Sequence, residues 1–300
     1  MMLVAGLIVL PILLWQVVKL ANNKTISYQT PQLVSPAPMP VYTNSLPIDQ
    51  SFPSASASAM YIMDRQSGSI LYERHSQDQR YPASTAKLMT AVVARKLYSL
   101  NQVIQIREEA FAQGSSAHFV LGEQITFQNL LYALFLPSGN DAALVLANHH
   151  PRGYQGFVAE MNKTATALHL NNSHFGNPSG LDVDQQMSTA RDLAILANEV
   201  MKDAVLRQIV GTKQTTITDV SGKLKHYLVN TNELLGVVPG VVGIKTGTTD
   251  SAGENLVTEV DRDGHQIIIV LLGSQNRYNE ASAIIQWVFA NYQWRSIVSN

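Results

Sequence analysis

The spacing of apolar positions changes several times along the chain. Met1 to Leu20 is almost wholly apolar, broken only by Gln16 and Lys19. A helix of about 20 such residues is long enough to cross a hydrocarbon core of roughly 30 Å. A signal-peptide core is shorter and follows a basic segment, and no Lys or Arg precedes this run. Residues 1–21 are therefore expected to be a transmembrane anchor, with a cleaved signal segment as the alternative. Lys19 and Lys24 on the C-terminal side of the run weigh slightly against export of that side. Residues 22–59 carry Pro31, Pro36, Pro38, Pro40, Pro47 and Pro53, then the run Ser54-Ala55-Ser56-Ala57-Ser58. Proline stiffens such a segment and the scarcity of large apolar side chains denies it a core, so it reads as a linker.

From Met60 the pattern turns to short β-prone runs. Ala59–Asp64 and Ser69–Glu73 flank Gln66-Ser67-Gly68, which is turn chemistry, and a hairpin is expected. After Ser84 the apolar residues Ala86, Leu88, Met89, Val92, Val93 and Leu97 recur at helical spacing. Further helices are expected at Thr126–Leu136, Asp141–Asn148, Gly156–Leu168 and Thr189–Lys202, the last with Ser188 as N-cap. Strands return at Val241–Lys245, Asn255–Val260 and His265–Gly273, the last two joined by Asp261-Arg262-Asp263-Gly264. Gln266–Leu272 is nearly continuous apolar sequence, as suits a strand buried on both faces. A closing helix is expected from Asn279 to about Tyr292. This order predicts an α+β domain over residues 60–300. One antiparallel sheet would be built from both chain ends and flanked by helices, with a helical subdomain from the middle. No internal repeat and no further C-terminal domain are expected.

Composition narrows the function. Of 300 residues, 46% are apolar and 14% charged, and the net charge is −1. There is no basic excess to hold a nucleic acid. The chain has no cysteine, which excludes disulfides, thiolate catalysis and cysteine-based metal sites. His149 and His150 are adjacent and diverge on a helix, and no H-E-x-x-H occurs. His118, His169 and His174 have no ligand spacing, so neither a metal nor a cofactor is expected.

Three short motifs carry the candidate chemistry: Ser84-Thr85-Ala86-Lys87, Ser138-Gly139-Asn140 and Lys245-Thr246-Gly247-Thr248. Each alone is commonplace. Ser84 and Lys87 share a helical face. A serine hydroxyl is a poor nucleophile until a base takes its proton. Lysine serves as that base only if burial or a second cation lowers its pKa from about 10.4 towards neutrality. Pro82 and Ala83 set Ser84 at a helix start, where free N–H groups and the macrodipole favour an oxyanion. Ser138 suits a proton relay from Lys87 to a leaving amine, and Asn140 suits holding Lys87 or a substrate amide. Lys245 and Thr246 offer a charge and a hydroxyl to a carboxylate. Gly247 lacks a Cβ and lets a substrate backbone lie close to the strand. Thr248 offers a backbone N–H as a second oxyanion donor.

With their flanks these motifs resemble the serine D-Ala-D-Ala carboxypeptidases, the low-molecular-mass penicillin-binding proteins, for which S-x-x-K and K-T-G are marks. Pro82–Thr90 is similar to the family's nucleophile segment, and Ser138-Gly139-Asn140-Asp141-Ala142-Ala143 to its second motif. Asn177-Pro178-Ser179-Gly180-Leu181-Asp182 and Ser188–Leu193 resemble its middle. Asn230-Thr231-Asn232 and Gly243–Gly247 resemble its approach to the third motif. The likeness covers roughly Met60 to Tyr292. It implies a β-lactamase/transpeptidase-like fold with the site between a helical and an α/β subdomain. It implies that Ser84 attacks the carbonyl between the two D-alanines of a peptidoglycan stem peptide, with Lys87 as general base and Ser138 and Asn140 completing the proton network. Lys245 and Thr246 would hold the terminal carboxylate, with Arg277 beside them. The N–H groups of Ser84 and Thr248 would form the oxyanion hole. β-Lactams would acylate Ser84, and the enzyme would work outside the cytoplasmic membrane, anchored there or secreted to the wall.

The sequence departs from the family pattern in two places. Many members continue into a β-rich domain and a C-terminal membrane helix, whereas this chain stops near the end of the catalytic domain. Pentapeptide trimming and D-Ala endopeptidase action on cross-links both stay open. Thr248-Thr249 is a local variant. A class A-like β-lactamase needs a deacylating glutamate, but Leu168–Phe175 holds no carboxylate and Glu160 lies too early, so slow deacylation is expected. A non-catalytic binding module would be expected to lack Ser84, Lys87 or Lys245, and all three are present.

Overall fold

The chain enters its fold earlier than composition suggests. The structure is a computed structural model that describes residues 37–108 and 113–296. The expected anchor, and the expected linker as far as Pro36, lie outside the described residues. From Ala37 onward the linker expectation is corrected, because this stretch belongs to the folded unit. Strand β1 (Met39–Tyr42) and the short helix α1 (Ile48–Ser51) come first. Phe52 then stacks on Tyr72 with ring centroids 3.7 Å apart, and Ser56 donates to Glu280 from both N and Oγ. Two aromatic rings and backbone pairing anchor a segment whose prolines and serines hide it.

β2 (Ala59–Asp64) and β3 (Ile70–Arg74) form the expected hairpin. A 3₁₀ turn at Ala83–Ala86 leads into α2 (Lys87–Leu97). The middle of the chain then runs β4 (Val103–Gln105), β5 (Gln124–Thr126), α3 (Phe127–Phe135), α4 (Asn140–Asn148) and α5 (Gly153–Ala167). It continues through α6 (Ala190–Lys202), α7 (Ala204–Val210), β6 (Gln214–Thr218) and β7 (Lys225–Val229). Last come β8 (Val241–Thr249), β9 (Gly253–Arg262), β10 (His265–Ser274), α8 (Arg277–Asn291) and β11 (Tyr292–Arg295).

The sheet has the order β3-β2-β10-β9-β8, all antiparallel, and so draws on both chain ends as expected. Its centre is the apolar run of β10. Ile268, Val270 and Leu272 point into the core shared with the helices of the middle segment. Ile267, Ile269 and Leu271 point to the opposite core, shared with α8. Alternating side chains thus bury both faces. Asp263 and Gly264, at φ 52° and 79°, make the two-residue turn between β9 and β10, the geometry that matches strand twist. β1 pairs with β11 beside this body.

Two details differ from expectation. The N-cap of α6 is Thr189, whose side chain accepts from Asp192 N, while Ser188 Oγ faces Ser173 Oγ at 2.8 Å. The two-stranded pairs β4–β5 and β6–β7, together with α7, are additional to the expected elements. Their three to seven residues are too few to impose a period.

Candidate active site

The site begins where β8, the edge strand of the sheet, meets the 3₁₀ turn. That turn, and not an α-helix, carries Ser84. In a 3₁₀ helix residues i and i+3 eclipse, which brings Lys87, the first residue of α2, directly over the serine. Lys87 Nζ lies 2.9 Å from Ser84 Oγ, 2.7 Å from Asn140 Oδ1 and 2.6 Å from the Ser179 carbonyl oxygen. The carbonyl and the amide oxygen can only accept. A neutral amine has two N–H groups, which these two oxygens occupy, and its lone pair is left facing the Ser84 hydroxyl. Burial, and next the charge of Lys245, push the Lys87 pKa well below its ordinary 10.5. Both causes disfavour the ammonium form.

Each partner of Lys87 is fixed from behind. Asn140 opens α4, and its Nδ2 donates to Gln113 O at 2.7 Å, which turns Oδ1 towards the lysine. Asn140 N donates to Ser115 O at 2.7 Å. Next to it, Asp141 accepts from Ser116 Oγ at 2.7 Å and Ala117 N at 2.9 Å. On the other side, Asn177 Oδ1 accepts from Ser179 N, Ser179 Oγ and Gly180 N at 3.1, 3.0 and 2.7 Å. This closes a tight turn that aims the Ser179 carbonyl at Lys87. Thr90 of α2 donates to Pro178 O at 2.6 Å and pins the same turn. Gly180 sits at φ +88°, where a Cβ would lie 1.9 Å from Ala83 O. Only glycine lets this loop press on the nucleophile turn.

The third motif packs against the nucleophile turn. Lys245 is buried, and its Nζ donates to Thr246 O at 2.9 Å. Burial, then the nearby Arg277, lower its pKa to about 7. Thr246 Oγ1 lies 2.7 Å from Thr231 Oγ1. Arg277, the first residue of α8, donates to Thr248 Oγ1 at 2.7 Å and to Gly247 O at 3.1 Å. From the sequence, the open side of Gly247 is expected to face a substrate backbone. In the structure that side is filled by the protein itself, because a Cβ there would lie 2.8 Å from Ser84 N. Gly247 lets β8 pack against the nucleophile turn. Ser138 stands at φ 61° with Oγ buried and without a hydrogen-bond partner among the described residues, so it makes no hydrogen bond to Lys87.

Lys87 thus contacts both Ser84 and Asn140, and Lys245, Thr246, Gly247, Thr248 and Arg277 form a second group beside the same turn. Asn177, Ser179, Gln113 and Thr231 also shape the site. Their residue types give no hint of this chemistry, because two of them act through backbone carbonyls. The signals available are Asn177-Pro178-Ser179-Gly180, whose composition marks a tight turn, and Asn230-Thr231-Asn232 by its resemblance to the family. Glu160 is engaged elsewhere, 3.3 Å from Lys163 Nζ and 3.9 Å from the Arg152 guanidinium.

Comparison with known proteins identifies the family and the fold. The family model for D-alanyl-D-alanine carboxypeptidase matches residues 47–276. The D-alanyl-D-alanine carboxypeptidase DacF of Bacillus subtilis is 30% identical over 79% of this chain and 63% of its own length. That of Streptomyces sp. (strain K15) is 33% identical over 79% of this chain and 89% of its own. The chain therefore spans less than two thirds of the first relative and most of the second. The crystal structure of the Streptomyces K15 DD-transpeptidase superposes with a TM-score of 0.76 at 33% identity, covering 80% of this chain and 99% of that one. A penicillin-binding protein homolog from Mycobacterium tuberculosis gives 0.77 at 30% identity, covering 86% and 99%. By its matched family model, its relatives and its fold, the chain belongs to the D-alanyl-D-alanine carboxypeptidase family.

Proposed function

We propose that this chain is a serine-type D-Ala-D-Ala carboxypeptidase acting on peptidoglycan stem peptides, and that β-lactams acylate it as substrate mimics. The observation that carries the reading is Lys87, with two obligate acceptors at 2.6 and 2.7 Å and the Ser84 hydroxyl at 2.9 Å. Ser84 Oγ attacks the carbonyl between the two D-alanines while its proton passes to Lys87. The N–H groups of Ser84 and Thr248 stabilise the oxyanion. The C–N bond then breaks, and D-alanine leaves with a proton relayed through Ser138. Water hydrolyses the Ser84 ester by the same groups in reverse. Lys245, Thr246, Thr248 and Arg277 hold the terminal carboxylate, and Gly247 holds β8 against the nucleophile turn.

Slow release of a penicilloyl group is expected from the groups beside Lys87. The group facing Lys87 there is the Ser179 carbonyl, and the nearby Asp182 accepts from Thr249. The carbonyl is no base, and the Asp182 carboxylate is tied to Thr249 and not to Lys87. The apolar leader, residues 1–21, supports placement on the outer face of the cytoplasmic membrane. Among the described residues, which exclude that leader, no helix is long and apolar enough to cross a membrane.

The test is release of D-alanine from a diacetyl-Lys-D-Ala-D-Ala peptide, with Ser84→Ala as control. Release by the wild type and none by the control is expected. Release that survives Ser84→Ala overturns the mechanism, and rapid multiple turnover of nitrocefin makes the protein a β-lactamase. Absence of a β-lactam adduct by intact mass favours a binding module.

A further inference from the structure

His226 on β7 and Glu123 before β5 form a buried pair that the steps above do not use. His226 Nδ1 lies 3.0 Å from Ala117 O, and Nε2 lies 2.8 Å from Glu123 Oε1. The other Glu123 oxygen accepts from Val120 N at 3.0 Å. Neutral imidazole has one N–H, yet both ring nitrogens face acceptors. Two hydrogen bonds therefore need one more proton, held on the ring or on Glu123 Oε1. Without it, a ring lone pair faces a carboxylate oxygen in a buried place, or the Ala117 carbonyl loses its donor. Either outcome leaves a buried polar group unsatisfied.

The surroundings hold the ring still. Phe119 meets it edge-on with centroids 5.1 Å apart, and Ile217 of β6 is its register partner. The titratable groups around it are Glu123 in contact, His118 on the same loop, and Asp141 beyond Ala117. Lys225 and Asp219 lie on its own hairpin.

From Ala117 the chain of contacts runs to the reacting groups. Ala117 N donates to Asp141 Oδ2 at 2.9 Å. The same loop offers Ser115 O and Gln113 O to Asn140, each at 2.7 Å. Asn140 Oδ1 accepts from Lys87 at 2.7 Å. His226 and Asp141 thus grip the loop from two sides, and the loop orients Asn140.

We propose that His226 is a positioning residue for acylation of Ser84, and that the one proton it shares with Glu123 keeps the loop in the shape that aims Asn140 at Lys87. The inference rests on the reading of Ser84 and Lys87 as nucleophile and base. Glu123→Gln separates the proton from the scaffold. The glutamine oxygen can accept from Val120 N, and its NH₂ can donate to Nε2 of a neutral ring, so both contacts survive without the extra proton.

The experiment measures Ser84 acylation by saturating benzylpenicillin from pH 6 to 10 in wild type and E123Q. The wild-type rate is expected to fall by about fivefold on the alkaline side, the worth of one hydrogen bond. E123Q is expected to hold its rate to higher pH. Lys245 titrates in the same range in both proteins, so the difference between the profiles belongs to the pair. In the wild type, the ring ¹⁵N signals of His226 are expected to change at the midpoint of the rate. Overlaying profiles, or midpoints that disagree, overturn the proposal. A wild type that is not acylated at all overturns instead the reading of Ser84.

Discussion

Thr249 Oγ1 donates to Asp182 Oδ1 at 2.8 Å, joining the end of β8 to the loop whose Ser179 carbonyl holds Lys87. The end of the third-motif strand is thereby fastened to the loop that supports Lys87. Both residues are half-buried, so the bond should contribute about 1 kcal/mol. Asp182→Ala is expected to lower Tm by about 2–4 °C, the shift for a domain of this size, and to slow acylation severalfold as Ser179 gains freedom. Asp182→Asn keeps an acceptor and should restore most of both. Calorimetry and rapid-mixing acylation measure the pair of effects, and an Asp182→Ala protein with wild-type values in both would show the tie to be idle.

Gly180 is the most constrained glycine of the site. Its φ of +88° and the 1.9 Å that would separate an added Cβ from Ala83 O act together. Gly222 shares a positive φ of +71° but has open space around it. Gly222→Ala is therefore expected to lose only about 1 kcal/mol of backbone preference. Gly180→Ala must also displace the nucleophile turn and should reduce β-lactam acylation by about tenfold or more. Equal acylation rates for the two variants would refute the steric argument.

Activity should depend on pH through two lysines with opposite demands. Lys87 must be neutral to take the Ser84 proton, so kcat/KM rises as pH passes its lowered pKa. Lys245 must be charged to hold a carboxylate, and its pKa is about 7, so kcat/KM falls as pH rises through that value. A bound carboxylate favours the ammonium form, which moves the alkaline limb to higher pH in kcat than in kcat/KM. Stability has the reverse sign. The unfolded chain keeps the Lys245 proton up to the ordinary 10.5 while the folded chain releases it near 7. Between those values the unfolded state binds more protons, so this residue makes stability rise with pH. Lys245→Met should be more stable than wild type at pH 7, with the gap closing towards pH 10. Parallel melting curves for the two proteins across that range would contradict the assignment.

The parts of the site legible in the sequence are those whose residue types carry the chemistry, such as Ser84, Lys87, Asn140 and Lys245. Ser84 and Lys87 lie three residues apart, so their contact follows from any helical turn. The β9–β10 turn is readable from Asp263-Gly264, and the central strand from Gln266–Leu272. Backbone acceptors are invisible there: Gln113 O and Ser179 O leave no mark on residue type. Contacts between distant residues are hidden for another reason. His226 and Glu123 are 103 residues apart and meet only after two short hairpins have formed. At Gly247 the missing Cβ is the property that matters, as the sequence suggests, but the neighbour it admits is the turn at Ser84. The segment 37–58 hides from composition, which weighs prolines and serines equally wherever they fall. Its few anchors, Tyr42 and Phe52, are diluted among them.

That N-terminal segment yields the last prediction. Removing residues 37–58 takes away the β1–β11 pairing and the Phe52 ring stacked on Tyr72 and edge-on to Trp287, at 3.7 and 4.9 Å. It also takes three donors from Glu280: Ser56 N at 2.9 Å, Ser56 Oγ at 2.5 Å and Ala57 N at 3.2 Å. Ser274 Oγ at 2.8 Å remains as the partner of that buried carboxylate. A buried charge stripped of its donors costs more than the aromatic contacts alone. A chain starting at Ala59 is therefore expected to melt on the order of 10 °C below one starting at Ala37. Glu280→Gln in the shorter chain should recover part of the loss, because the amide demands less solvation. Identical melting of the two lengths would mean that the segment adds nothing to the fold, and that the domain does begin where its first β-prone run begins.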